Sequence, residues 1–171
     1  MTATGDSNRP SNPIEVITIQ DGRQSPRATE IARGAARLLA QYDRRCIPEL
    51  GLPDGRRADL MALGAKGELW IVEIKSSLED FRSDTKWPEY RAFCDRLLFA
   101  VGRNFPIEVL PPDAGLLVCD RYGGELVREA PLHEMPTARR KALLLRFARV
   151  AAGRLMALAD PEAGREALVR E

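Results

Sequence analysis

The sequence predicts an α/β domain: a central mixed sheet with helices on its faces. Three observations carry this. A helical period runs through residues 27–42, three short apolar runs separated by dense turn clusters fill 46–75, and a further helix then leads into more core strands and a long terminal helix. A three-strand meander followed by a helical crossover gives a mixed sheet, because a parallel neighbour can be reached only by crossing over.

The elements follow in order. Residues 1–25 are rich in Pro, Ser, Asn, Thr and Gly and read as a tail, with Ile14–Ile19 offering one edge strand. Ile31, Ala35, Leu38 and Tyr42 recur at helical spacing, and Ser25-Pro26 starts the helix, since Pro is tolerated in a first turn. Cys46–Leu50, Arg57–Leu63 and Glu68–Lys75 read as strands, separated by Gly51-Leu52-Pro53-Asp54-Gly55 and Gly64-Ala65-Lys66-Gly67. Ser76-Ser77 opens a loop or short helix through Trp87, and Pro88–Asp95 reads as helical. Leu97–Val101 and Gly115–Cys119 are core strands, and Glu125–Glu129 is an edge strand after Tyr122-Gly123-Gly124. Thr137 is the expected cap of a helix ending near Ala159, where Asp160-Pro161 stops it. The domain is thus expected over 26–160, with 161–171 a second tail.

Composition narrows the chemistry. With 44% hydrophobic and 30% charged residues, the 171-residue chain has the profile of a soluble globular domain. It shows no apolar run long enough for a bilayer and no secretory start, so a cytoplasmic location without membrane contact is expected. Three scattered cysteines, Cys46, Cys94 and Cys119, fit buried thiols better than a disulfide framework or a zinc site. His133 is the only histidine, which excludes His-pair zinc chemistry and disfavours a Ser-His-Asp triad. A net charge of +1 means that any basic binding surface must be local.

Carboxylates and lysine remain. In Glu68–Lys75 the side chains of Ile71, Glu73 and Lys75 share one side of the strand, and Trp70, Val72 and Ile74 share the other. Both sides are apolar enough to be covered, so Glu73 needs a partner. Asp59 stands among apolar neighbours one strand earlier. Two acids brought together repel, and a divalent cation removes the conflict. Mg²⁺ (or Mn²⁺) suits this, because it takes oxygen ligands and commonly uses one or two carboxylates plus a phosphate. Lys75 could then orient a water or balance transition-state charge. The plain alternative is an ion-paired strand, Glu73 with Lys75 and Asp59 with Arg56 or Arg57.

Register is decisive. With a turn of Gly64–Gly67 alone, Leu63 pairs with Glu68 and Asp59 lies opposite Val72. A shared site needs Asp59 opposite Glu73, hence an odd-length loop such as Gly64–Glu68, or a bulge.

Asp59, thirteen intervening residues and Glu73-Ile74-Lys75 resemble the Asp…(Asp/Glu)-x-Lys signature of the PD-(D/E)XK nuclease superfamily, with Ala58 where a Pro is usual. The element order, α-β-β-β-α-β-β-α, also resembles its restriction-endonuclease-like core. A closer resemblance is to the MmcB-type DNA repair family of bacteria. It rests on residues 56–63, Val72–Ser77, Asp80–Asp84, Lys86-Trp87-Pro88-Glu89-Tyr90 and residues 138–142, within roughly 25–158. The resemblance implies a DNA repair role, DNA (branched or damaged) and repair proteins as partners, and a Mg²⁺-dependent endodeoxyribonuclease with Asp59, Glu73 and Lys75 catalytic. A first-helix Glu supports the metal in many such relatives, and Glu30 is the available residue; Glu49 is a further candidate. Arg57, Ser76, Lys86, Trp87 and Tyr90 are the expected DNA contacts, with core packing the alternative for the two aromatics. The basic last helix, from Arg139 to Arg154, is either a solvated face or a backbone contact. The alternative function is a catalytically silent DNA-binding or repair-partner module with the same fold.

Overall fold

The computed structural model describes residues 25–161; the expected tails, 1–25 and 161–171, lie outside them except for Ser25 and Pro161, and so does the strand expected at Ile14–Ile19. Ser25 caps α1 (Pro26–Gln41), its hydroxyl accepting the Ala28 N–H at 3.1 Å. The meander is β1 (Arg44–Gly51), β2 (Arg57–Gly64) and β3 (Leu69–Lys75). α2 (Leu78–Ser83) and a 3-10 helix (Trp87–Phe93) cross to β4 (Arg96–Val101). A 3-10 turn at Ile107–Val109 leads to β5 (Gly115–Cys119), then β6 (Gly124–Arg128) and α3 (Thr137–Ala159).

The six strands lie in chain order, β3-β4 and β4-β5 parallel and the other pairs antiparallel. This is the expected mixed sheet flanked by helices. α1 covers one face, burying Ile31, Ala35, Leu38 and Leu39 against Leu60, Val72, Leu98 and Leu117. α3 and the 3-10 helix cover the other, where Leu143, Phe147 and Tyr90 meet Met61, Ile71 and Leu97. Gly34 lets α1 approach the β5–β6 turn: a Cβ there would overlap the carbonyl oxygen of Asp120.

Three local expectations are corrected. The segment expected to be helical at Pro88–Asp95 is the 3-10 helix Trp87–Phe93, which ends as Cys94 turns extended. Thr137 is the first residue of α3 rather than its cap; Pro136 holds that position and makes no side-chain bond. Tyr42 leaves the core face at the end of α1 and is exposed.

Candidate metal and phosphate site at the ends of the central strands

The turn between β2 and β3 spans Gly64–Glu68, five residues, with Gly67 at φ +86° and the Gly64 N–H bonded to the Glu68 carbonyl at 2.9 Å. Leu63 therefore pairs with Leu69 and Leu60 with Val72, and continuing that register sets Asp59 opposite Glu73.

Past the Leu60–Val72 pair the ladder gives way to side chains. The Ile74 N–H donates to Asp59 Oδ2 at 2.8 Å, and the Asp59 N–H points at Glu73 Oε1 at 3.4 Å. The cause lies in β1 and β2 together. Ile47 and Leu50 are three residues apart yet share the core on the α3 side, as do Met61 and Ala58. An odd spacing on one face means that the pleat slips once in each strand. The slip in β1 falls at Glu49, whose φ of +53° is a sparsely populated conformation for a side-chain-bearing residue. It falls opposite Asp59, because Pro48 pairs with Leu60 and Leu50 with Ala58. Arg154 of α3 donates to the carbonyls of Pro48 and Glu49 and holds this kink. The Glu49 carboxylate pairs with Arg57.

Asp59, Glu73 and Lys75 line one cavity of about 340 Å³ with Ser25, Ala28, Ile74, Ser76 and Asp80. It opens beyond the C-terminal ends of the parallel strands, the usual ligand side of such sheets. Glu73 and Lys75 are only 3% and 4% exposed. Burial raises the Asp59 carboxyl from 3.8 to about 6 against the opposing pull of the Ile74 N–H. Burial first, and the charge of Asp59 second, push Glu73 well above its ordinary range. Burial alone would lower the Lys75 ammonium, but its bond to Asp84 at 2.6 Å and the charge of Glu73 outweigh that and raise it. Lys75 is thus a fixed cation beside two acids that resist ionising together.

Sequence reasoning missed Asp80 as part of this site; Asp84, expected near the site mouth after the third strand, bonds Lys75. Asp80 fixes the strand-to-helix turn, accepting from the Ser76 N–H at 2.9 Å and the Ser76 hydroxyl at 3.2 Å. The signal was available: Ser76 and Asp80 stand four apart across the helix cap, where the Ser77 hydroxyl takes the Asp80 N–H. Asp84 lies one turn farther on.

The other candidates are distributed unevenly. Glu30 is not brought to the cavity; it is exposed on α1 and faces Arg121 at 3.9 Å, near the β5–β6 turn. Tyr90 is buried, its hydroxyl donating to the Arg57 carbonyl at 3.0 Å. Trp87 is half-buried, edge-on to Phe99 with ring centres 5.4 Å apart. The placement of these rings answers to core packing, and Tyr90 has no face open for stacking on a base. Lys86 and Arg57 are exposed, and Ser76 lines the cavity. On α3, Arg140 is tied to Asp95 through two bonds of 2.6 and 2.5 Å, whereas Arg139, Lys141, Arg146 and Arg149 are exposed. The three cysteines are unpaired, their thiols pushed by burial up to about 12. Among the described residues no helix is long and apolar enough to cross a membrane.

Residues 15–162 match the family described as DNA repair protein MmcB-like. The chain belongs to the MmcB-like DNA repair family. The match takes in all of the sheet and both long helices. Among solved structures, the SPO1766 protein of unknown function from Silicibacter pomeroyi is similar, at 45% identity and a TM-score of 0.78, covering 81% of this chain and 95% of that one. No curated protein matches. Membership in the MmcB-like family links the chain to DNA repair.

Proposed function

We propose that this MmcB-like chain is a metal-dependent nuclease that hydrolyses DNA phosphodiester bonds during repair. The observation that carries the reading is the enclosure of the Asp59 and Glu73 carboxylates, with the Lys75 ammonium beside them, in one cavity. A pure scaffold gains nothing from buried acids that raise each other's pKa.

The residues present fit a hard divalent ion. The donors are carboxylate oxygens, and the two acids are costly to ionise side by side without a cation. Among the described residues no group of three or more His, Cys, Asp or Glu is arranged to hold a metal. Asp59 and Glu73 would hold Mg²⁺ or Mn²⁺, with water and substrate phosphate completing the shell. A bound ion supplies Lewis-acid polarisation of a phosphoryl oxygen and acidifies water.

The chain's own residues divide the remaining work. Lys75 stays protonated at neutral pH, so it is not the base; its fixed charge offsets negative charge developing on the phosphoryl group. Asp84 holds Lys75 in place, and Asp80 holds the Ser76 turn at the rim. Lys86 and Arg57, both exposed, would meet backbone phosphates rather than bases.

The test is incubation of the protein with branched, nicked and single-stranded DNA in Mn²⁺. Cleavage that disappears in Glu73→Gln and Lys75→Ala supports the nuclease. One observation favours the second reading, a silent DNA-binding or repair-partner module: Lys75 is already engaged by Asp84. Tight binding without cleavage of any of these substrates would establish that module instead.

A further inference from the structure

At the opposite end of the sheet, a second cavity of about 320 Å³ lies on the α1 side. Trp70, in its wall, precedes Lys75 by five residues along β3, which separates it from the candidate metal site by ~16 Å. Leu98, Leu126 and Leu132 form its apolar wall, and Arg44, Arg96, Glu68 and Glu129 are charged groups in its lining. Asp95 also lines it but is already neutralised by Arg140.

Arg44 is the unusual group. Its guanidinium stacks on Trp70 with the carbon 3.6 Å from the ring centre. Its Nε and Nη1 are shielded from solvent and have no hydrogen-bond partner among the described residues. Two shielded donors left without a partner lose their solvation without replacement, so the half-buried Arg44 gains from an acceptor. Gly64 makes room for it, since a Cβ there would collide with Arg44 Nη1. Arg96 is different: it stands 5.9 Å from the same ring and is satisfied by the Ala130 carbonyl.

We propose that this cavity receives a protein segment presenting one carboxylate beside an aliphatic side chain. The carboxylate bonds Arg44, and the aliphatic group packs on Leu98, Leu126 and Leu132. Three features select this occupant. The unmet donors belong to one guanidinium, which suits a single carboxylate. Glu68 and Glu129 balance Arg44 and Arg96, so the cavity does not attract a polyanion such as a nucleic-acid backbone. Leu132 and Tyr42 stand exposed at its rim, 66% and 51% accessible, as apolar groups flanking a docking cavity do.

The test uses the full chain labelled with 5-fluorotryptophan, its two resonances assigned through Trp70→Phe. The probes are N-acetyl-Leu-Glu-amide, N-acetyl-Leu-Gln-amide and oligothymidylate. The Leu-Glu probe is expected to move the Trp70 resonance saturably, and the Leu-Gln probe to bind about tenfold more weakly. Arg44→Gln is expected to weaken the Leu-Glu probe about tenfold, and so is Leu132→Glu, a change at an exposed site that spares the fold. Equal binding of the two peptides, or binding untouched by Leu132→Glu, overturns the proposal. So does a Trp70 resonance that answers to oligothymidylate and not to the Leu-Glu probe.

Discussion

Replacing Asp59 with asparagine should make the metal-free protein more stable at neutral pH, although the residue sits at the heart of the candidate site. In the fold the Asp59 carboxyl titrates near about 6, against 3.8 ordinarily, chiefly because it is buried. A folded-state pKa above the unfolded one means that the native state holds its proton longer. The stability this gives is fully present below pH ~4 and is lost as pH rises to ~6, a total of about 3 kcal/mol. The asparagine amide cannot ionise, yet its carbonyl can still accept the Ile74 N–H, and its neutrality makes Glu73 easier to ionise. For a domain of this size 1 kcal/mol moves the melting temperature by about 2–4 °C. Asp59→Asn should therefore melt about 6–12 °C above wild type near pH ~7.5 in chelator, with the gap closing toward pH ~4. Calorimetric or circular-dichroism melts across that range make the measurement. A variant that melts at or below wild type throughout would refute the claim that this acid is destabilised by its surroundings.

Other expectations follow from the same geometry. Gly34→Ala should cost about 3 kcal/mol in denaturant unfolding, because the obstructing Asp120 and Gly123 carbonyls are backbone and cannot swing aside. Arg140→Ala should cost about 3–5 kcal/mol by the same assay, since it strands the buried Asp95 carboxylate with only the Leu69 N–H. Asp84→Ala should lower the Lys75 pKa, now held above its ordinary 10.5, when Lys75 is followed through its side-chain NMR signals; an unchanged titration would show that Asp84 does not set its charge.

The parts of this fold set by local chemistry could be read directly. Turn clusters separated the three meander strands, and alternation along Glu68–Lys75 set Glu73 and Lys75 on one side. The need for an odd-length turn followed from wanting Asp59 opposite Glu73, and Gly64–Glu68 supplies it. What could not be read was set by tertiary contact. A glutamate gives no warning of a left-handed backbone, so the kink at Glu49 was invisible; it depends on Arg154, over a hundred residues away. Tyr90 and Trp87 are types that stack on bases or fill cores equally well, and the closeness of Phe99 and the Arg57 carbonyl decided for the core. Glu30, next in sequence to the buried Ile31, could have faced either way, and α1 carries it toward Arg121. Nothing local to Arg44 in the sequence reveals that two of its donors are enclosed.

The account rests on Asp59 and Glu73 sharing a pocket in which a divalent ion displaces protons. Calorimetric titration of the metal-free protein with Mn²⁺ near pH ~6, in two buffers of different ionisation enthalpy, measures this directly. One ion per chain with net proton release, and no binding in Glu73→Gln, is the expected result. No saturable Mn²⁺ heat, or binding that releases no protons and survives Glu73→Gln, would contradict it.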